Sequence, residues 1–363
     1  MNLLKYITVS LLLLNLPTFF SKSIGTGVGG MLSLISFLLV PVYAIFRKKL
    51  IFLPSLIFLG VSYFLISGLQ FYHGVESEYI ERFLKYMLLI VVGTTLASDL
   101  KKEEMLIFLF IGAMSTIINA TFFTDDYGRY SGLYLDPNAA GYICLTGFAL
   151  SYSIKSEKIR TIIQFLFTFA GLITFSRTFI VSWLFINLLS LRINPKNIKI
   201  LAIGAGVVVL TIATAQFLNL NAIRFKQLQS LVSNEEVSTQ QLNEDSRSET
   251  WSTFYPFVID KPISGNGYGS FQTNGLNKVG PHNTFLLVIG EAGIFSLIAV
   301  ILVYAYLLRS GFAVFRKRPY LFFMSLAQVL FLLTNHNYFT AYYLIFISLW
   351  LFTESKKLVP DEN

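Results

Sequence analysis

The chain has 363 residues, of which 54% are hydrophobic and only 13% are charged. Soluble domains carry about a quarter charged residues, so this composition excludes an ordinary soluble domain and indicates an integral membrane protein. The net charge of +8 does not indicate nucleic-acid binding, because the lysines and arginines cluster in short segments between apolar runs. The single cysteine, Cys144, lies in an apolar run, which excludes a disulfide within the chain and a cysteine-based metal site.

Apolar runs recur along the whole chain, many of them close to the roughly 20 residues that a helix needs to cross a bilayer. Backbone groups in lipid must form their hydrogen bonds internally, so these runs are predicted to be helices. The sequence therefore predicts an all-α integral membrane fold with about twelve transmembrane helices. Their expected positions are 3–20, 29–46, 50–71, 83–98, 105–123, 138–154, 161–176, 178–191, 200–218, 283–308, 320–334 and 340–353.

The basic residues predict the orientation of these spans. With the N-terminus in the cytoplasm, every basic cluster falls on the cytoplasmic side, as 47–49 and 316–318 illustrate. Residues 1–218 then hold the first nine helices, 219–282 form a large periplasmic loop subdomain, and 283–363 hold the last three helices and a short cytoplasmic tail. Within the loop, the acidic and polar stretch 233–249 is interpreted as a surface helix or a mobile lid.

The loop closes with a glycine-rich motif in which Gly265, Gly267 and Gly269 alternate with other residues. Because Pro262 rather than a strand precedes it, the motif does not fit a nucleotide-binding fingerprint. It predicts a tight turn that lets the backbone approach another group closely, although a purely structural turn fits equally well. No other nucleotide-binding glycine pattern occurs and ATP is absent from the periplasm, so no cofactor is predicted.

Two arginines are candidates for a site on the outer side. Arg177 lies between two apolar runs that are too close together for an ordinary loop. An arginine at membrane depth is costly and usually functional, but this one could instead extend to lipid phosphates. Arg247 lies in the long loop, where Asp245 or Glu249 could simply pair with it.

His282 precedes Asn283 and an apolar run, which places it at the outer start of a predicted span. A neutral imidazole suits a proton acceptor near pH 7, because its unperturbed pKa is about 6.5. A capping or hydrogen-bonded interface histidine is the structural alternative. His336 is a weaker second candidate, and three scattered histidines without a nearby cysteine predict no metal site.

Polar residues also mark the starts of two other spans. Asp136 or Asn138 is expected to cap the helix that begins at Pro137. Arg129, seven residues before Asp136, could face the same cavity. Glu291 lies about two turns into its span, where a carboxylate either pairs with an arginine or lines a cavity.

In their order and spacing, these motifs resemble the O-antigen ligase and polymerase superfamily. The resemblance covers about residues 130–300, and it is carried by 132–139, 175–178, Arg247 with Trp251, Pro262 with 265–271, and His282 and Asn283 with Glu291 and Gly293. It implies a bacterial inner-membrane enzyme that transfers a glycan from undecaprenyl diphosphate to an acceptor hydroxyl on the periplasmic face, without a metal.

The resemblance also implies roles for single residues. Arg177 and Arg247 would grip the donor diphosphate, and His282 would assist deprotonation of the acceptor. Guanidinium groups suit that task because they match phosphate oxygens in pairs. Further substrate-binding residues, with less defined roles, would be Arg129, Asp136, Asn138, Gly267, Asn283 and Glu291.

The combined prediction is an inverting glycosyltransferase of O-antigen or exopolysaccharide assembly, with polymerisation favoured over ligation to lipid A–core. Its expected partners are a lipid-linked glycan donor, a glycan or lipid A–core acceptor and the lipid bilayer, but no nucleic acid. The alternative from another class is a transporter or flippase for the same lipid-linked glycan. A transporter predicts repeated halves and broken helices at the membrane midplane, whereas the polar motifs here lie near the predicted outer face.

Overall fold

The computed structural model describes residues 1–72, 74–123, 129–213, 247–277 and 279–357. Residues 219–246 of the predicted loop, and with them most of the stretch 233–249, lie outside the described residues. The described chain is 75% helix and contains no strand, which confirms the all-α prediction. Its helices are α1 (Asn2–Leu13), α2 (Leu16–Ser23), α3 (Thr26–Arg47), α4 (Pro54–Ser67), α5 (Glu76–Ser98), α6 (Lys102–Phe122), α7 (Pro137–Ser151), α8 (Glu157–Ile173), α9 (Arg177–Ser190), α10 (Ile198–Ala213), α11 (Arg247–Ser252), α12 (Tyr255–Asp260), α13 (Thr284–Ala313), α14 (Pro319–Leu332) and α15 (Tyr342–Lys356), with short 3-10 turns at Gly132–Tyr134 and Pro195–Asn197.

Each apolar segment predicted to span the membrane coincides with a helix or a pair of helices, as far as the structure describes it. Three described helices, α3, α6 and α13, are long and apolar enough to cross a bilayer. The pair α1 and α2 becomes a fourth if the two are taken as one broken span. The other helices are shorter or, like α5, more polar.

The first predicted span, 3–20, is wrong as a single helix, because α1 and α2 meet at an angle of 61°. Asn15 stands at the break with a φ of 54°, in the left-handed region that asparagine tolerates better than most residues. Pro17 follows within the first turn of α2, where its missing N–H leaves no bond unmade. Together these residues turn the chain sharply.

The contacts of α7 with α14 and with the start of α9 define one end of the helix bundle. Near the start of α7, Tyr142 stacks on Phe331 near the end of α14, with 4.6 Å between ring centroids. Just after α7, the ring of Tyr152 packs against the ring of Phe323 near the start of α14, with 5.0 Å between ring centroids. The two helices therefore run antiparallel. A Cβ at Gly141 of α7 would lie 3.1 Å from the Cβ of Ser176, the residue before α9.

The start of α13 lies at this same end, because Thr284 Oγ1 donates to Asn335 O, just beyond α14, at 2.6 Å. The loop 262–271 lies there too, since Tyr268 N donates to Ser67 O at the end of α4 at 2.9 Å. We call this the glycine-loop end: the starts of α7, α9 and α13 together with the loop 262–271.

Charged side chains pair at the opposite end of the bundle. Arg47, the last residue of α3, donates from Nε to Asp99 Oδ2 at 2.5 Å and from Nη2 to Asp99 Oδ1 at 2.9 Å. Lys199 of α10 pairs with Glu157 of α8, and Lys357 Nζ donates to Ser98 O at 3.4 Å. We call this the basic end, defined by Arg47, Lys199 and Lys357.

Candidate functional site

Helix α13 is interrupted at Gly293, whose φ of 70° and ψ of −171° lie outside the helical region. Only glycine adopts this conformation readily, and a Cβ here would lie 1.8 Å from Ile263 O. The next amide, Ile294 N, donates at 2.9 Å to Pro262 O, which belongs to the loop and not to the helix. The break therefore opens α13 to the backbone of the loop 262–271.

The loop 262–271 fills this opening. Its three alternating glycines, Gly265, Gly267 and Gly269, all have positive φ. Asn266 N donates to Gly290 O at 2.7 Å, and Gly267 N donates to Glu291 O at 3.1 Å. A Cβ at Gly267 would lie 2.2 Å from Gln70 O. The predicted tight turn with a close backbone approach is confirmed, and the backbone that it approaches belongs to α13 and to the chain just after α4.

The buried carboxylate of Glu291 holds the loop in place. Its Oε1 accepts hydrogen bonds from Gly269 N at 3.0 Å and Phe271 N at 3.1 Å. Its Oε2 accepts one from Tyr63 Oη of α4 at 2.5 Å. No arginine is among its hydrogen-bond donors in the described part of the chain. Glu291 thus fastens the loop to both α13 and α4.

Three helices begin at the glycine-loop end with the same local geometry. Each is preceded by a residue with positive φ, which is rare without glycine, and then by a residue whose side chain caps the helix. The pairs are Leu135 and Asp136 before α7, Phe175 and Ser176 before α9, and His282 and Asn283 before α13. The capping oxygens accept first-turn amides at 2.7, 3.3 and 2.9 Å, respectively. The predicted capping by Asp136 is confirmed, and three positive helix ends face one end of the bundle.

The chain between α8 and α9 gathers several of the predicted residues. Ser176 Oγ donates to Asn138 Oδ1 at 2.9 Å, which joins the start of α9 to the start of α7. Arg129 Nε donates to Thr174 O at 3.3 Å. Arg177 is exposed as the first residue of α9. We call this group, comprising Arg129, Asn138, Ser176 and Arg177, the arginine hinge.

A second group surrounds His282. Trp251 Nε1 donates to Pro281 O at 2.8 Å, which ties α11, the helix that begins at Arg247, to the turn of His282. The exposed His282 ring meets the His336 ring edge to face, with centroids 5.2 Å apart. We call His282 and His336 the histidine pair.

The two histidines differ in exposure. His336 is half-buried, and a Cβ on Gly280 would lie 2.5 Å from its Nε2. Burial and the neighbouring His282 lower the pKa of His336 to about 4. Its imidazole is therefore neutral at pH 7 and able to accept a hydrogen bond.

The arginine hinge and the histidine pair lie at the same end of the bundle. The last turn of α14 contacts the start of α7 through Phe331 and Tyr142, and α14 then leads directly to His336. The structure thus gathers the regions of Arg177, His282 and the start of the Arg247 helix, although they are far apart in the sequence.

One family model, described as O-Antigen ligase, matches residues 162–301. This match supports the O-antigen ligase/polymerase superfamily as the family that the chain resembles. The matched segment begins in α8 and includes Arg177, Arg247, His282 and the break in α13. The resemblance found in the sequence is thereby confirmed, and the match together with the apolar helices indicates a multi-pass membrane protein of glycosyltransferase type. No curated protein matches the chain.

The glycine-loop end also has polar groups that give no signal in the sequence. Arg82 of α5 donates to Gln272 Oε1 at 2.8 Å and to Tyr268 Oη at 3.3 Å, and it pairs with Glu78 one turn earlier. In the sequence Arg82 is one scattered charge in front of an apolar run. Its contacts with Gln272 and Tyr268 form only when the loop 262–271 and the chain that follows it fold back onto α5.

The described residues contain no group of three or more His, Cys, Asp or Glu side chains placed to hold a metal ion. Cys144 is buried in α7.

Proposed function

We propose that the protein is an inverting, metal-independent membrane glycosyltransferase that moves a glycan from undecaprenyl diphosphate to an acceptor hydroxyl in surface polysaccharide assembly. The superfamily match and the apolar helices support the general class. The observation that carries the proposal is that the arginine hinge and the histidine pair lie at one end of the bundle.

The donor diphosphate binds at the arginine hinge in this proposal. Arg177 and Arg247 grip it, because guanidinium groups bond phosphate oxygens in pairs. The positive starts of α7, α9 and α13 add a field that favours an anion at the same end. Stabilising the charge that develops on the departing diphosphate is the main catalytic contribution of such groups.

The transfer is a single displacement. The acceptor oxygen forms a bond to the anomeric carbon of the donor sugar, and the bond from that carbon to the diphosphate oxygen breaks. Undecaprenyl diphosphate leaves with the electron pair, and the configuration at the anomeric carbon inverts. His282 takes the hydroxyl proton, a contribution worth about 10² to 10⁴-fold for a well-placed general base.

Arg129, Asp136, Asn138, Gly267, Asn283 and Glu291 support substrate binding in this proposal. Asp136 and Asn283 do so by capping the helices that face the donor, and Asn138 by holding Ser176 beside Arg177. Gly267 and Glu291 do so by locking the loop against α13. Arg129 does so as part of the arginine hinge, where its Nε donates to Thr174 O.

The membrane arrangement is part of the proposal. The protein crosses the bacterial inner membrane about twelve times. Its basic end faces the cytoplasm, in keeping with the positive-inside rule, and its glycine-loop end faces the periplasm. Residues 1–218 and 283–363 form the membrane helices, and 219–282 form the periplasmic loop subdomain.

Polymerisation of lipid-linked repeat units is the proposed reaction, and ligation to lipid A–core is the second candidate. The name of the matched family, O-Antigen ligase, supports the second candidate. Transport of the lipid-linked glycan is the third reading, and it has less support because the arginine hinge and the histidine pair lie at one end of the described helices.

The diphosphate clamp is tested with Arg177→Ala and Arg247→Ala in purified protein, supplied with lipid-linked donor and acceptor. Each variant is expected to fold normally but to lose transfer. Arg47→Ala, which removes an arginine at the basic end, is the matched control and should transfer at the wild-type rate. Wild-type rates in both hinge and loop variants would remove the clamp from the mechanism.

The three readings predict different surface glycans in a deletion strain. Single repeat units on lipid A mean that a polymerase was lost, and full-length polymer left on undecaprenyl diphosphate means that a ligase was lost. Lipid-linked single repeats held on the cytoplasmic face mean that a transporter was lost. Chromatography of the glycan from each lipid fraction distinguishes these outcomes.

A further inference from the structure

A polar cavity of about 210 Å³ opens beside the histidine pair and has no part in the donor chemistry above. Its polar lining comes from α5, from the chain after the loop 262–271 and from the segment between α14 and α15. The side chains that matter here are Arg82, Gln272, His336, Asn337, Phe339 and Thr340. Ligand pockets for drug-sized molecules run from roughly 300 to 1,000 Å³, so this cavity suits a smaller group, about one ring in size.

Aromatic rings form one wall of the cavity. Phe339 stacks on Tyr63 with ring centroids 3.8 Å apart and planes 3° from parallel. The ring centroid of Tyr268 lies 6.5 Å from that of Tyr63. Amide and hydroxyl groups of Gln272, Asn337 and Thr340 supply the polar side. A sugar ring has the same division, with C–H groups on its faces and hydroxyls at its edge, so it fits an aromatic wall combined with amides.

The charge inside the cavity argues for a neutral ligand. Arg82 is the arginine of the lining, and its side chain is 25% exposed. Its charge is already paired with Glu78, and two of its N–H groups are directed at Gln272 and Tyr268. A phosphate would have to displace these partners, whereas a hydroxyl needs only one further hydrogen bond.

We propose that this cavity binds the terminal sugar of the acceptor glycan and that His336 positions the attacking hydroxyl beside His282. The inference rests on the proposed glycosyl transfer and names the acceptor subsite of that same site. The 5.2 Å between the histidine ring centroids brings a sugar at His336 within reach of the proton acceptor. Burial holds His336 neutral, so it can accept a hydrogen bond from a sugar hydroxyl.

The test uses two matched variants on α5. Arg82 and Lys85 each pair with a glutamate four residues earlier, but Lys85 donates to Ser33 in a different cavity. Arg82→Met is expected to raise the KM for the acceptor about ten-fold and leave the KM for the donor unchanged, because it removes the hydrogen bonds that hold Gln272 and Tyr268 in the wall of the acceptor cavity. Lys85→Met should change neither value.

A second variant guards against a folding defect in Arg82→Met. Asn337 is exposed at the cavity rim, so Asn337→Leu adds bulk and removes the amide without disturbing the core. It is expected to raise the KM for the acceptor at an unchanged melting temperature. The acceptor in these assays is a synthetic repeat unit with a short alkyl aglycone, which has no diphosphate and cannot act as donor. Lipid A–core is the second acceptor.

Each outcome separates the inference from the proposed function. If wild-type protein transfers glycan and both cavity variants keep the wild-type KM for the acceptor, the cavity is not the acceptor subsite. If they raise the KM for the donor instead, the acceptor assignment is equally overturned. If wild-type protein transfers glycan to neither acceptor, the proposed function itself fails.

Discussion

Different kinds of contact stabilise the two ends of the bundle. At the basic end, the partly exposed side chains of Arg47 and Lys199 each pair with a single carboxylate. At the glycine-loop end, the backbone of the loop 262–271 enters a break in α13, and the buried Glu291 joins three polypeptide segments. The Arg47 and Lys199 pairs depend on partly exposed charge, whereas the glycine-loop end depends on buried backbone contacts.

This difference follows from what each end is proposed to do. Exposed ion pairs contribute little to stability and tolerate replacement, which suits an end whose charges set only the membrane orientation. A site that must hold a diphosphate and an acceptor needs side chains fixed to within a fraction of an ångström. Substitutions at the glycine-loop end should therefore cost far more than substitutions at the basic end.

Gly293→Ala gives the sharpest test of this contrast. The added methyl group would meet Ile263 O, and alanine does not readily adopt the glycine conformation at this position, so we expect little folded protein in detergent. Gly30→Ala is the control, because it lies in α3 with no atom within 4 Å of the new Cβ. It should be neutral or slightly stabilising, and a folded, active Gly293→Ala would contradict the account of the break.

Removal of the Glu291 carboxylate should have the next largest effect. Glu291→Ala leaves Gly269 N, Phe271 N and Tyr63 Oη buried without their acceptor, at about 1–3 kcal/mol for each. Glu291→Gln keeps an acceptor for the two amides and should lose much less. Thermal unfolding of both variants measures the difference, and equal losses would show that the hydrogen bonds to Glu291 are not what holds the loop.

The lowered pKa of His336 should make the stability of the protein depend on pH. Its pKa is about 4 in the folded protein against 6.5 ordinarily, so between these values the unfolded chain binds the extra proton. The contribution of His336 to the free energy of unfolding is fully present above pH 6.5 and is lost as the pH falls towards 4. The melting temperature of wild-type protein should fall over that range more than that of His336→Gln, and parallel curves would contradict the prediction.

The smallest effect is expected at the basic end. In Arg47→Ala, Asp99 loses a partner that is 45% exposed but keeps the hydrogen bond from Tyr43 Oη at 2.8 Å. The melting temperature should therefore match that of wild-type protein within error. A loss as large as that of Glu291→Ala would erase the contrast between the two ends.

The sequence predicted those features that depend on neighbouring residues. Apolar runs gave the helices, and local chemistry gave the Asp136 cap and the close turn at the three glycines. The break at Gly293 was missed because a glycine inside a long apolar run is also compatible with an unbroken helix. The bend at Asn15 was missed although Pro17 marks the place.

The contacts that build the site join residues too distant for any periodic pattern. Tyr63 and Glu291 are 228 positions apart, and Arg82 and Gln272 are 190 apart. A tyrosine in an apolar run gives no sign that it will meet a carboxylate. Such pairs become visible only once the helices are packed, which is why Arg82 and the cavity beside His336 had no counterpart in the sequence-based prediction.

The interruption of α13 has a mechanical consequence. The part of this helix before Gly293 is bonded through its carbonyls to the loop 262–271, while the part after it packs as an ordinary member of the bundle. The imidazole of His282, which stands at the tip of the first part, therefore takes its position from the loop 262–271 as well as from the helix. Changes of loop length or sequence between relatives would shift that imidazole without any substitution near it, so a single scaffold could be adapted to acceptors of different shape.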